Sequence, residues 1–458
     1  MGGNNEFRLE SYAIDVLKQK GYQYSFGQFL QGRSFSEVLL LKDLKKFLSN
    51  PYIEQEVIYK LKNLPYDVSS ANAVVWEYIQ HGIWIDSIKQ RIPLIDFHNP
   101  ENNCFKVINQ LSINTGSNTR RPDVIIYING LPLIIFELKT PKKRSYILHQ
   151  AYSQLTHTYL RDIPNIFKYA LFLVISNGYS HRYGTIHNEI KHWHIWNNRY
   201  LNHFLWELFD KQILLDYIKN FIYITNQNHT NLISGKTYQS INSIINQILN
   251  NSNKEKIPIK KVNPNYESIT LLKKLTNTKQ LKNYSIIWFI DENDNWLNNL
   301  LSISTKYLNT YPIIAKEVLK NFNTNQIYLT NIQDYFVSPT LITNSNNLIC
   351  ISHKKYPSIK HNSWIIWKIK ALLKFKNTNK VTYYNPHYRT FLDYLHYSFP
   401  NAIHLVEQSH KNYSKVLKIL LTILKGFGYL LLFILIMAAA SGAKGNYRRR
   451  STRYRKRW

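Results

Sequence analysis

The stretch from Arg121 to Lys143, RPDVIIYINGLPLIIFELKTPKK, constrains this chain more than any other. Two apolar runs flank Asn129-Gly130, the dipeptide most suited to a tight hairpin turn. Runs this apolar predict a buried hairpin. Yet Asp123 opens the first run, and Glu137-Leu138-Lys139 closes the second, so three charges collect at the open end. Strand side chains alternate, which puts Glu137 and Lys139 on one face. The place of Asp123 depends on the turn. A strict two-residue loop pairs Asp123 with Phe136 and sends Glu137 to the other face. A three-residue loop, or a bulge, sets Asp123 opposite Glu137. Convergence of the three charges therefore requires one extra residue.

Residues 8 to 20 carry Leu9, Tyr12, Ala13, Val16 and Leu17 at helical spacing, with Gly21 as a stop. Two more helices are expected near 39–49 and 53–62. Strands are expected within 104–138, a helix over 146–160, and a buried strand over 169–176 before Asn177-Gly178. Strand, hairpin, helix, strand is an α/β layout. A length of 458 residues allows two to three domains. The first is expected over 1–220. Residues 221–283, rich in Asn, Ser and Lys, read as linker or eroded helical segment. Apolar runs at 284–290, 326–330, 347–352 and 401–406 suit a second parallel-sheet domain over 284–410. The final part, 411–458, holds eighteen uncharged residues, 426–443, and then an Arg-rich tail. That segment is at the lower length limit for a membrane span. A C-terminal membrane anchor and a buried extension both fit it.

The formal net charge of +30 suits a polyanionic partner such as nucleic acid. It equally suits the codon bias of an AT-rich genome, so charge alone decides nothing. Cys104 and Cys350 lie far apart, which excludes a disulfide framework and points to a reducing, cytoplasmic setting. The N-terminus has no apolar signal core. The histidines between 181 and 203 read as surface or capping residues.

Two adjacent carboxylates resist joint ionisation. A divalent cation removes that conflict, and paired hard oxygens suit Mg²⁺. Such a cation lowers the pKa of water and stabilises charge on a phosphoryl oxygen. Lys139 beside it can orient the water or neutralise charge. Such a cluster is expected to suit metal-dependent phosphodiester hydrolysis. The bland alternative is a surface salt bridge at a strand end, worth little.

Four segments carry a resemblance: RRPDVIIYINGLPLIIFELKTP, LESYAIDVLKQKGYQY, AYSQLTHTYLRDIPNIFKYALFLVISNGYSHRYGT and LLDYIKNFIYI. Together, over about residues 6 to 224, they resemble the N-terminal PD-(D/E)xK nuclease domain of type I restriction enzyme R subunits. The resemblance implies a restriction-endonuclease-like α/β fold. It implies Asp123 and Glu137 as Mg²⁺ ligands with Glu10 completing the shell, and Lys139 as the catalytic lysine. It implies a role for Gln154, from a Gln-x-x-x-Tyr pair in the family. Here the tyrosine, Tyr159, stands five residues on. On an α-helix five residues turn about 140°, so Gln154 is kept and Tyr159 dropped. Arg120, Arg121, Lys142, Lys143 and Arg144 flank the hairpin and are expected to meet the DNA backbone. Methylation and specificity subunits are implied partners.

The same resemblance implies a RecA-like ATPase downstream. The one Ser-Gly-Lys-Thr, 234–237, has Thr230 where the loop's first glycine belongs. After 284–290 come Asp291, Glu292 and Asp294, which repel a triphosphate. His353-Lys354-Lys355 stands where an acidic box belongs, so nothing there holds Mg²⁺. The expectation is a degenerate RecA-like parallel α/β domain, with no nucleotide-binding residues and ATP hydrolysis lost. The leading reading is a type I restriction endonuclease subunit. Its rivals are a stand-alone Mg²⁺-dependent nuclease and a non-catalytic DNA-binding or membrane-associated relic.

Overall fold

The computed structural model describes residues 3–250 except 31, 117, 141–145, 198–199 and 226. Beyond them it describes 257–260, 266–281, 285–290, 313–314, 327–331, 348–352 and 403–408. The expected positions 291–294, 353–355, 426–443 and the Arg-rich tail lie outside the described residues.

A six-stranded mixed sheet organises the first part. Its order is Gln23–Phe26, Phe105–Asn109, Val124–Ile128, Leu131–Leu138, Phe172–Ser176 and His181–Gly184. The outer strand 23–26 runs parallel to 105–109, and 172–176 runs parallel to 131–138; the other pairs are antiparallel. The hairpin forms the two central strands, and every residue of both is buried. A strand covered on both faces reads as an unbroken apolar run, which is what these two show. The opening helix, Gly3–Gln19, and the helix Tyr146–Ser153 pack against this part of the sheet.

The hairpin contains the extra residue that the three charges require. Asn129 and Gly130 have φ of 51° and 81°, so they form a two-residue turn with left-handed backbone. Beyond the turn Ile128 pairs with Leu131 and Tyr127 with Pro132. The register then shifts by one, and Ile126 pairs with Ile134, Ile125 with Ile135 and Val124 with Phe136. Leu133 is the bulged residue. Continuing that register, Asp123 falls opposite Glu137. The turn itself is buried. Leu40 N–H donates to the Gly130 carbonyl, and a side chain at 130 would sit 2.4 Å from the Leu40 oxygen. The Asn129 amide donates to Leu94 and Asn103 and accepts from Cys104 N–H.

The opening helix buries Leu9, Ala13, Val16 and Leu17 as expected, but Tyr12 is 42% exposed and Ile14 is buried in its stead. The two helices that follow run Leu41–Leu48 and Pro51–Lys62, the second capped by Asn50. Residues 221–283 contain the hairpin Ile222–Ile224/Thr230–Leu232 and the helices Gly235–Asn250 and Tyr266–Asn277. Ile241, Ile244, Ile245, Ile248, Leu271, Leu272 and Leu275 join the same buried cluster as the central strands.

The four apolar runs after 284 all become strands of one sheet. Its order is Ile257–Lys260, Ile403–Gln408, Leu348–Ser352, Ser285–Ile290, Ile327–Asn331 and Ile313–Ile314, all parallel. Pro258 lies in the outermost strand, where a missing N–H is tolerated. Among the described residues no helix is long and apolar enough to cross a membrane.

Candidate active site

Asp123 precedes the first hairpin strand, Glu137 stands near the end of the second, and Lys139 follows it. One Asp123 oxygen, Oδ2, accepts from Leu138 N–H at 2.7 Å, which locks the carboxylate against the Glu-Leu-Lys segment. Lys139 Nζ donates to Glu137 Oε1 at 2.5 Å and to Gln154 Oε1 at 2.7 Å. The three charges therefore converge, with Gln154 beside them. This is not the surface ion pair of the bland alternative, since the Glu137 side chain is 1% exposed and that of Lys139 18%. Glu137 Oε2 is buried and has no hydrogen-bond partner among the described residues.

The electrostatics follow from that burial. Desolvation pushes the Glu137 pKa up to about 8, helped by the charge of Asp123 and opposed by Lys139. Desolvation also raises Asp123 to about 6, against the Leu138 N–H and Lys139, with Glu10 and Glu6 adding repulsion. Burial pulls Lys139 down, but Glu137 and Asp123 outweigh it and its pKa is raised, so it stays an ammonium. The site thus holds more carboxylate than it can ionise alone, with one cation to balance it.

The opening helix supplies two acids. Glu10 is buried, and its oxygens accept from Asn109 Nδ2 at 2.5 Å and Gln110 Nε2 at 2.9 Å. Gln110 Nε2 also reaches Asp123 Oδ1 at 3.3 Å, so one amide bridges Glu10 to Asp123. Glu6, one turn earlier, accepts from Thr140 N–H and the Thr140 hydroxyl, both at 2.9 Å. Sequence reasoning missed Glu6, although its spacing of four from Glu10 placed it on the same helix face. It missed Gln110 too, whose left-handed φ of 51° turns it toward the site and leaves no trace in the sequence pattern.

Tyr159 is a correction. The 140° argument assumed an α-helix, but Gln154–Tyr159 is one turn of π-helix, in which residues five apart stack. Gln154 Nε2 donates to the Tyr159 hydroxyl at 2.6 Å, and that hydroxyl donates to the Arg121 carbonyl at 3.3 Å. A relay runs from Lys139 through Gln154 and Tyr159 to the backbone just before Asp123.

Among the flanking basic residues, Arg120 Nε donates to Asp162 Oδ2 at 2.7 Å, an acid it shares with Arg161. Arg121 is exposed, and Lys142, Lys143 and Arg144 lie outside the described residues. The Ser-Gly-Lys-Thr at 234–237 opens the helix Gly235–Asn250. Ser234 Oγ accepts from Thr237 N–H, and Gly235 lies against the Trp196 ring, so both serve packing and capping. His181 is buried, stacked on Phe204, and accepts from Trp196 N–H.

Among the described residues no group of three or more His, Cys, Asp or Glu side chains is spaced to hold a metal ion. The donors on offer are the Asp123 and Glu137 carboxylates, one with an unpartnered oxygen and both with raised pKa values. Two hard oxygens that resist joint ionisation fit a hard divalent cation. Glu10 lies one amide away, with both oxygens engaged.

Fold and site together define a mixed α/β domain with an Asp, Glu-x-Lys cluster at the open end of a buried hairpin. Comparison with known proteins adds that residues 3–192 match the family model for the type I restriction enzyme R protein N terminus. The chain is 28% identical over 214 residues to the type I restriction enzyme MjaIXP endonuclease subunit of Methanocaldococcus jannaschii, covering 42% of this chain and 20% of that one. It is 27% identical over 252 residues to the HindI endonuclease subunit of Haemophilus influenzae, covering 48% and 24%. It is 32% identical over 188 residues to the EcoprrI endonuclease subunit of Escherichia coli, covering 39% and 58%. The matched part thus spans between a fifth and three fifths of these relatives.

Proposed function

We propose that this chain is a DNA endonuclease of the type I restriction kind, hydrolysing phosphodiester bonds at Asp123, Glu137 and Lys139 with Mg²⁺. One observation carries the reading: the Leu133 bulge brings Asp123 opposite Glu137, whose Oε2 is buried beside Lys139 without a partner among the described residues. Asp123 and Glu137 would hold the cation, with Glu10 behind them. A divalent cation there supplies an acidified water and charge neutralisation on the phosphoryl oxygen.

The chain's own residues do the rest. Lys139, held by Glu137 and Gln154, keeps an ammonium poised to bind the attacked phosphate or orient the water. Tyr159 fixes the Gln154 amide, so the lysine has one direction to face. Leu138 N–H fixes Asp123. Arg121, with Lys142, Lys143 and Arg144, would meet the strand's phosphates.

We read the parallel sheet of 257–408 as a RecA-like motor remnant without ATPase chemistry. The adjacent parallel strands support the architecture, and the residues at 291–294 and 353–355 support the loss. Methylation and specificity subunits are the proposed partners, as the resemblance to type I R subunits implies. The test is plasmid cleavage with Mg²⁺, with and without ATP, comparing the natural chain with Asp123→Ala. Cutting should disappear in the variant. Cutting unchanged in Asp123→Ala overturns the site, and stimulation by ATP overturns the loss of the motor. Cutting without added subunits marks a stand-alone nuclease.

A further inference from the structure

The strand Phe105–Asn109 ends beside the site, and the residue that follows it, Gln110, is left-handed, with φ of 51°. Such a φ is unfavourable for a residue with a side chain and needs support from its surroundings. The support comes from the first hairpin strand. Asn109 pairs with Val124, and one step on Gln110 N–H donates to the Asp123 carbonyl at 3.1 Å. The backbone at 110 is thus tied to the backbone at 123.

From that fixed point the side chain reaches two acids at once. Gln110 Nε2 donates to Glu10 Oε2 at 2.9 Å and to Asp123 Oδ1 at 3.3 Å. An amide nitrogen has two hydrogens, one for each carboxylate. Two carboxylates this close repel, and N–H groups set between them offset the repulsion. The four oxygens of the two acids have distinct partners. Asp123 Oδ2 accepts from Leu138 N–H at 2.7 Å, and Glu10 Oε1 accepts from Asn109 Nδ2 at 2.5 Å. Glu10 is 6% exposed, and both of its oxygens are taken by the amides of consecutive residues. Asp123 Oδ1 has only the longer Gln110 bond among the described residues, which leaves it the freest oxygen of the pair.

We propose that Gln110 is a positioning residue whose amide couples Glu10 to Asp123, so that Glu10 serves the cation through Gln110 and not as a ligand of its own. The proposal rests on the Mg²⁺ reading of the site. It departs from the expectation that Glu10 completes the metal shell. Groups that orient a ligating side chain commonly change metal affinity by about 10–100-fold. Gln110 orients Asp123 from two directions, by its backbone N–H and by its amide. Glu10 anchors that amide.

The experiment follows thermal melting of the full chain without DNA as MgCl₂ is raised from an EDTA-treated sample. Gln110→Met keeps the side-chain length and removes both donors. It should raise the Mg²⁺ concentration needed for half the stabilisation about tenfold, and Glu10→Gln should do the same. The double variant should need no more Mg²⁺ than either single one, because both break one linkage. Gln110→Asn guards against a fault in the turn. Asparagine suits a left-handed φ better than most residues, so this variant should melt in EDTA no lower than the natural chain. Its amide falls one methylene short of the acids, so it should still need more Mg²⁺. An unaltered Mg²⁺ response in Gln110→Asn and Gln110→Met overturns the positioning role. Losses that multiply in the double variant overturn it too, and make Glu10 a ligand in its own right. A natural chain that gains stability from Mg²⁺, with these differences intact, but never cuts DNA sinks the nuclease reading and leaves the role of Gln110 standing.

Discussion

Glu137 is the residue on which the chemistry and the stability meet. Its carboxyl, near 4.5 in an unfolded chain, rises to about 8, and Asp123 rises to about 6. A raised folded pKa means the native state binds more protons than the unfolded one between those values. Stability from these groups is therefore full below the ordinary carboxylate range, and as pH climbs it is lost by about 6 for Asp123 and by about 8 for Glu137. The metal-free chain should melt at lower temperature at pH 8 than at pH 5, by on the order of 5 °C. Glu137→Gln should flatten that slope, and Mg²⁺ should raise the melting temperature at pH 8 in the natural chain only. A profile unaltered by the substitution would mean that Glu137 does not titrate in this range. Lys139 has a second signature. Lys139→Ala should cut the cleavage rate by about 10²–10⁴-fold while leaving the strand paired, because its N–H bond to the Ser176 carbonyl does not involve the side chain.

Two elements each carry one residue too many for a regular geometry, and both extra residues serve the site. Leu133 bulges the second hairpin strand and shifts the register so that Glu137 faces Asp123. Its removal would restore a strict two-residue hairpin, rotate Glu137 to the other face, and abolish cleavage. The π turn at 154–159 absorbs the fifth residue between Gln154 and Tyr159. His157 is exposed at the middle of that turn. Deleting it should convert the turn to α-helix with the glutamine and tyrosine four apart, still on one face. We expect that deletion to keep cutting and to stabilise the helix, read by plasmid cleavage and thermal melting. Loss of cutting in a well-folded deletion variant would show that the π geometry itself is required.

At the scale of the whole molecule, the charge of +30 sets the long-range field. Binding to single-stranded DNA should weaken linearly in log salt, with a slope of about 0.7 per phosphate contacted. Replacing Arg121 with Ala should reduce the slope by about one contact's worth. The helices of 235–250 and 266–277 also matter at this scale. They bury isoleucines and leucines in the core of the first sheet, so the region after residue 220 adds to the stability of the part that carries the site.

Much of this was legible in the residues alone: a buried hairpin, an Asn-Gly turn, three charges at one end, Glu10 on the opening helix and Gln154 beyond. Apolar runs and turn dipeptides act locally, so strand and turn could be read without coordinates, and so could the four later strands. The sequence even stated the condition for the site, one extra residue in the hairpin, without saying where it would go. Only the tertiary structure chose Leu133, because a bulge is placed by how both strands pack against their neighbours. It also decided that Gln154 and Tyr159 share a face and that Glu6 and Gln110 close around the acids. Those are contacts between segments distant in the chain, or a helical turn of abnormal pitch, and no local pattern encodes either.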